Sequence, residues 1–229
     1  MKIRWFYYIA RFAVRVGLLL STRWQIKGKE NIPERGPLLI VANHLNLVDP
    51  PLLSVSIGRK TMFMAKEELF HSKFFGYFIS SFGAFPVHRS QTDTKAVRLA
   101  LKILADGLAL VIFPEEHRSA NGQLQPASPG SALIALRSGA TILPIGITGT
   151  EKLKGKTWVL RRYRVTVNIG RPFPLPPVSG RATKTELAQL TDFIMNHIAE
   201  LLPVEYHGHY VKQDGSTTFT IKETDAINN

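Results

Sequence analysis

The sequence predicts one α/β domain, with a central mostly parallel or mixed sheet flanked by helices and an amphipathic helix ahead of it at a membrane interface. Three observations lead there. Unbroken apolar runs such as PLLIVAN (37–43), LALVIF (108–113) and TILPIGIT (141–148) read as buried strands. Segments with helical periodicity stand between them, and strands alternating with helices form sheets covered on both faces. The first 29 residues carry Lys2, Arg4, Arg11, Arg15, Arg23, Lys27 and Lys29 before the first acid, Glu30.

That first stretch, WFYYIARFAVRVGLLL, is interrupted by Arg11 and Arg15. A membrane-spanning helix needs ~20 consecutive apolar residues, and a secretory leader would end in an A-x-A-like site, which does not follow Leu20. At helical spacing Arg4, Tyr8, Arg11 and Arg15 fall on one stripe, and Trp5, Phe6, Ile9, Phe12, Val16, Leu19 and Leu20 cover most of the remainder. Two readings stay open: a helix lying in the headgroup plane with its cations toward phosphates, or a helix packed on the core.

Beyond the strand at 37–43, Asp49-Pro50-Pro51 reads as a helix start with Asp49 as N-cap. TMFMA (61–65) and AFPV (84–87) read as strands, and the aromatic stretch between them as one or two short helices. A helix is expected over 93–105, with Ala96, Val97, Ala100, Leu101 and Leu104 on its apolar face and Gly107 past its end. A short helix over 131–138 precedes the strand at 141–148. TWVLRRYRVTVNIG (157–170) reads as one bent strand or a hairpin, PFPLPPVSG (172–180) as a connector, and 185–202 as a last helix. The expected organisation is an interface helix over 1–23, the α/β domain over 24–203 and a polar tail over 204–229.

Composition narrows the function. With 29 Lys and Arg against 17 Asp and Glu, the net charge is +12, which asks for an anionic partner: nucleic acid, a phosphate substrate or an acidic membrane. The chain has no cysteine, which removes disulfides, thiolate zinc sites and cysteine nucleophiles. Nucleic-acid-binding motifs are absent. No paired-histidine ligand spacing appears, so no metal is expected.

Three loops carry the candidate chemistry, each directly after a buried strand, where open α/β sheets gather their sites. In NHLNLVD (43–49), a turn can bring the Asp49 carboxylate to the His44 ring, which would fix its tautomer and leave the other nitrogen to take a proton. Equally, Asp49 can be a helix cap and His44 a loop histidine. In GAFPVHR (83–89) the strand delivers Arg89, whose planar fork suits phosphate, although taken alone it reads as a surface arginine. In FPEEHRS (113–119) a strand releases Glu115, Glu116, His117 and Arg118 into one loop, which by itself is also a charged turn.

Taken in order, these blocks resemble the signature of the 1-acyl-sn-glycerol-3-phosphate acyltransferase family. His44 and Asp49 match its His-x4-Asp block; Gly83 to Arg89 resembles G-x-x-F-P-V-x-R with one residue fewer after the glycine, agreeing at Gly83, Phe85, Pro86, Val87 and Arg89; Phe113, Pro114, Glu115, Arg118 and Ser119 match F-P-E-G-T-R-S; and Leu143-Pro144-Ile145 matches its last apolar-Pro-apolar element. Lys66 resembles a family lysine between the first two blocks. Glu116 and His117 depart from the usual glycine and threonine.

The resemblance implies acyl transfer from a thioester, acyl-CoA or acyl carrier protein, to a lysophosphatidic acid hydroxyl. His44 would be general base and Asp49 its orienting partner. Lys66, Arg89 and Arg118 would hold the phosphate, and Glu115 a glycerol hydroxyl or Arg118. Backbone N–H groups at the helix start after Asp49 are the expected oxyanion donors. No cofactor is implied. The protein would sit on an anionic membrane surface, peripheral or monotopic, at the cytoplasmic face, with no nucleic-acid partner. An acyltransferase for another lysolipid or an amino-lipid, and a non-catalytic basic membrane- or nucleic-acid-binding module, are the alternatives. Of the aromatics over 70–85, most are expected in the core and some along an acyl groove. The basic cluster Lys152, Lys154, Lys156, Arg161, Arg162, Arg164 and Arg171 would face lipid, an acidic carrier protein or solvent.

Overall fold

Apolar runs pair side by side and set the frame of this computed structural model, which describes residues 5–87, 94–155, 157–178 and 180–210. In chain order the elements are α1 (Trp5–Ser21), β1 (Arg23–Lys27), β2 (Leu38–Ala42), α2 (Asp49–Ser56), β3 (Thr61–Lys66), α3 (Lys73–Ser81) and β4 (Ala84–Val87). Then follow α4 (Thr94–Ala105), β5 (Ala109–Ile112), α5 (Gly130–Ser138), β6 (Thr141–Thr148), α6 (Trp158–Arg161), β7 (Arg164–Ile169) and α7 (Lys184–Ala199). The strands form one sheet in the order β1-β7-β6-β2-β5-β3-β4. Every neighbouring pair is parallel except β6 with β7.

Strand alternation sends side chains to both faces. Leu39 and Val41 of β2, with Leu110 and Ile112 of β5, pack under α4, α5 and α7 through Leu104, Ile134 and Ile194. Leu38, Ile40 and Ala42, with Ala109 and Val111, pack under α1 and α2 through Leu18, Leu52 and Leu53. Each fully buried leucine contributes about 1.5–3 kcal/mol. Because β2, β5, β3, β4 and β6 run the same way, their C-terminal ends, and the loops that follow, share one edge of the sheet.

Four local expectations change. The 157–170 segment is the short helix α6 followed by β7, not a strand throughout; Arg162 adopts φ 45 between them and breaks the extended run. β1, a five-residue strand, gave no apolar run because it sits at the sheet edge with alternate residues exposed. Asp49 is not the N-cap of α2: Val48 holds that position without a side-chain cap, because the Asp49 carboxylate is turned toward the preceding loop. Residues 204–210, placed with the tail, pack on the domain as two short 3-10 turns ending in buried Tyr210. Residues 211–229 lie outside the described part.

α1 combines features of both readings. Tyr7, Ala10 and Leu18 are buried against the domain. Arg11 turns inward rather than toward a headgroup plane: its Nη2 donates to the Ile57 carbonyl at 3.2 Å, and its guanidinium lies over the Tyr7 ring. Tyr8, Ile9, Phe12, Val16, Leu19 and Leu20 are exposed. Arg4 lies outside the described residues.

Candidate active site

β2 ends by substituting side chain for backbone. The Asn43 Nδ2 donates to the Ile147 carbonyl at 2.9 Å, and its Oδ1 accepts from the Ile147 N–H at 2.7 Å. The amide thus continues the ladder to β6, while the main chain leaves the sheet. His44 follows, and both of its backbone polar groups are held by the loop after β5. Its N–H donates to Glu115 Oε1 at 2.9 Å, and its carbonyl accepts from the Ser119 N–H at 2.8 Å. The first and third sequence blocks are therefore stitched together at His44.

The His44 ring stacks on Phe113, centroids 4.2 Å apart, and its Nδ1 stands 2.8 Å from Asp49 Oδ2. That oxygen also accepts from the Leu45 and Asn46 N–H groups, each at 2.7 Å. Asp49 is fully buried. A carboxylate already fed by two amide donors places the imidazole proton on Nδ1 and leaves Nε2 as the basic nitrogen. Asn46 ties the same turn down: its Nδ2 donates to the Thr150 carbonyl at 2.9 Å, and its Oδ1 accepts from the Val48 N–H at 3.2 Å. Gly149, ahead of that anchor, has φ 89, and a Cβ there would collide with the Arg164 carbonyl.

Glu115 is the second buried acid, 5% exposed. Its Oε1 is taken by His44 N–H and its Oε2 by the Gln125 N–H at 2.9 Å. Both oxygens accept from the backbone, so the side chain ties the turn at His44 to the loop at Gln125. Burial pushes its pKa up from 4.5 to about 7 against the pull of the two amide donors, and the nearby Asp49 charge pushes the same way. The sign follows directly. As pH rises past 4.5 the unfolded chain loses this proton while the folded one keeps it. This carboxyl therefore makes the protein progressively less stable between pH 4.5 and about 7, with no further change outside that window. Urea titrations at several pH values should show that slope in the wild type and a flatter one in Glu115→Gln; parallel slopes would refute it.

The turn after β5 explains one departure from the family pattern. Glu116 adopts φ 60, in the left-handed region, and its N–H closes on the Phe113 carbonyl at 3.0 Å. A glycine takes that conformation without steric cost, whereas a side chain costs roughly 1 kcal/mol. Glu116→Gly is expected to raise the melting temperature and Glu116→Val, β-branched at the same φ, to lower it. The reverse order in a thermal melt would contradict this.

The cations are placed less specifically. Lys66, at the end of β3, is half-exposed and pairs with Glu68 at 2.8 Å. His117 and Arg118 are exposed on the loop after β5. Arg89 lies outside the described residues. The oxyanion expectation is corrected: Pro50 and Pro51 have no N–H, the Asp49 N–H donates to Asn46, and the Leu52 N–H donates to Val48. Among the described residues no group of three His, Asp or Glu is arranged to hold a metal ion.

Two parts of the surroundings were missed in the sequence. Residues 204–210 strap the loop that contains Gln125: the Leu124 N–H donates to the Tyr206 carbonyl at 2.8 Å, the His209 N–H donates to the Leu124 carbonyl at 3.1 Å, and the Ala127 N–H donates to the Tyr210 hydroxyl at 3.2 Å. A cavity of about 1250 Å³ opens under α4, α5 and α7, with Phe113, Pro114, Glu116, Val97, Leu133 and Leu187 among its walls. Its Phe113 wall is the ring that His44 stacks on. Among the described side chains of 70–85, none of Phe70, Tyr77, Phe78, Phe82 and Phe85 is in its walls, and Phe82 and Phe85 are core residues.

Comparison with known proteins gives a consistent set of relatives. The acyltransferase family model matches residues 23–148. A 1-acyl-sn-glycerol-3-phosphate acyltransferase of Streptococcus pneumoniae is 31% identical over 171 residues, covering 71% of this chain and 62% of that protein. The Bacillus subtilis enzyme of the same name is 29% identical over 190 residues, covering 82% of this chain and 93% of its own. The crystal structure of the 1-acyl-sn-glycerophosphate acyltransferase PlsC from Thermotoga maritima superposes with a TM-score of 0.65 at 28% identity, covering 85% of this chain and 77% of that one.

Proposed function

This chain belongs to the acyltransferase family, and from that premise we propose that it moves a fatty acyl group from a thioester, acyl-CoA or acyl carrier protein, to the sn-2 hydroxyl of 1-acylglycerol-3-phosphate, giving phosphatidic acid. The observation that carries the reading is the 2.8 Å contact between His44 Nδ1 and Asp49, at a residue whose backbone is held on both sides by the FPEEHRS loop. In the proposed reaction His44 Nε2 takes the proton of the attacking hydroxyl. The alcohol oxygen bonds to the thioester carbonyl carbon, the C–S bond breaks, and the imidazolium returns the proton to the departing thiolate. An ester and a free thiol result. The thioester is already activated, so neither an acyl-enzyme nor a cofactor is required.

Lys66, Arg89 and Arg118 are the proposed phosphate ligands. Support comes from Lys66 ending β3 and Arg118 lying in the loop after β5, on the same sheet edge as His44. The Lys66–Glu68 pair is half-exposed, and such pairs exchange readily. The largely apolar cavity behind Phe113 suits an acyl chain. The membrane contact falls to the exposed apolar face of α1; no helix among the described residues is long and apolar enough to cross a bilayer. The proposed place is peripheral or monotopic, on the cytoplasmic face of the membrane. A second reading, another lysolipid or an amino-lipid as acceptor, is favoured by one observation: Glu116 adds an acid to the cavity wall.

Purified protein offered a panel of lysolipids with each donor, and product masses read directly, tests the proposal. The expected product is phosphatidic acid. A product formed only on another headgroup would replace this acceptor. Arg118→Ala should reduce kcat/KM for lysophosphatidic acid by about 10- to 100-fold, the worth of one charge-assisted hydrogen bond. It should leave a neutral monoacylglycerol nearly unaffected; equal losses would remove Arg118 from the phosphate site.

A further inference from the structure

The C-terminal end of α1 meets a basic corner that the reaction does not use. Register pairing sets Arg23 of β1 beside Arg164 of β7, and both are exposed. Arg161 at the end of α6 and Arg162 just after it stand ahead of β7, also exposed, and Lys152 and Lys154 lie in the loop before α6. Like charges on adjacent strand positions repel, so the bare pairing is unfavourable by itself. An anion bound across them reverses that sign.

The corner is tipped with apolar side chains. α6 turns Trp158 toward the core beneath α1 and leaves Val159 and Leu160 outward, Leu160 being 83% exposed. Arg162 Nη2 donates to the Leu19 carbonyl at 3.1 Å, which fixes α6 against the last turn of α1, where Leu20 is 71% exposed. The apolar outer face of α1 thus continues onto α6 and is rimmed there by cations. Apolar tips inside a ring of arginines and lysines match an interface in which acyl chains lie beneath anionic phosphates.

From this juxtaposition we infer that α6 and the Arg23/Arg164 pair form a second membrane contact, specific for anionic lipid, which sets the tilt of the domain on the bilayer. The inference rests on the reading of the protein as a membrane-bound acyltransferase and adds to it an element and a lipid class. A bilayer is favoured over an acidic carrier protein because the apolar tips are continuous with α1.

The full chain is tested as wild type, Leu160→Ser and the double variant Arg23→Gln/Arg164→Gln. Cosedimentation uses vesicles of phosphatidylcholine with and without phosphatidylglycerol. Removing two cations near a charged surface should weaken binding to the anionic vesicles by about tenfold or more and change little on neutral ones. Leu160→Ser should weaken binding a few-fold on both, on the order of one buried leucine tip. Turnover of a dispersed, monomeric acceptor should stay at the wild-type rate. Wild-type binding by both variants overturns the inference. So does unchanged vesicle binding with turnover slowed only when acyl carrier protein is donor, which would make the corner a protein-docking site. A wild-type chain that binds neither vesicle would instead remove the membrane reading itself.

Discussion

Replacing His44 with alanine is expected to lower kcat by about 10²–10⁴-fold, with a much smaller change in the apparent constant for either substrate. The argument is geometric. Asp49 Oδ2 stands 2.8 Å from Nδ1 and is itself oriented by two amide donors, so the ring cannot turn without giving up its carboxylate contact. Phe113 fixes the ring plane from one side. What remains is Nε2, and its proposed contribution is the proton transfer. Because the His44 backbone rather than its ring carries the links to Glu115 and Ser119, the variant should keep its fold and its melting temperature. A folded His44→Ala protein with undiminished kcat would end the assignment.

Glu115→Ala is expected to be damaging by a different route. It strips two buried amides, those of His44 and Gln125, of their acceptor. Leaving a buried donor unpaired costs about 1–3 kcal/mol each, so the loss should be roughly 2–6 kcal/mol. At about 2–4 °C per kcal/mol for a domain this size, the melting temperature should fall by on the order of 10 °C. Activity should fall too, because His44 loses one of its two backbone tethers, and the fall should appear in kcat. A side chain that bound substrate would behave otherwise: KM would rise and the melting temperature would hold. Thermal melts and steady-state kinetics on the same preparation separate the two outcomes.

Much of the sheet was legible because its central strands are buried on both faces and read as unbroken apolar runs: Leu38–Ala42, Ala109–Ile112 and Thr141–Thr148 needed no partner to be recognised. β1 was not legible, since an edge strand with alternate exposed residues carries too little apolar signal over five positions. The 157–170 segment misled because Val159 and Leu160 look like strand residues, whereas they are apolar side chains left facing solvent. In the site, the spacing of His44 and Asp49 allowed both a carboxylate turned back to the ring and a helix cap, and the structure takes the first. Glu115 was visible as a residue, but its bonds to the backbone of His44 and Gln125 were not, because these partners approach only when β2 and β5 pair. The strap over 204–210 was missed for a related reason: its bonds to Leu124 and Ala127 join main-chain and tyrosine groups that carry no pattern in the sequence.

The most direct measurement is thiol release from acyl-CoA or acyl carrier protein, followed with and without lysophosphatidic acid, in the wild type and in His44→Ala. Release that requires the acceptor, is matched by phosphatidic acid formed and falls at least a hundredfold in the variant is the expected result. Release at the same rate without acceptor, or acceptor-dependent release that survives the loss of His44, would contradict proton transfer by the His44–Asp49 pair.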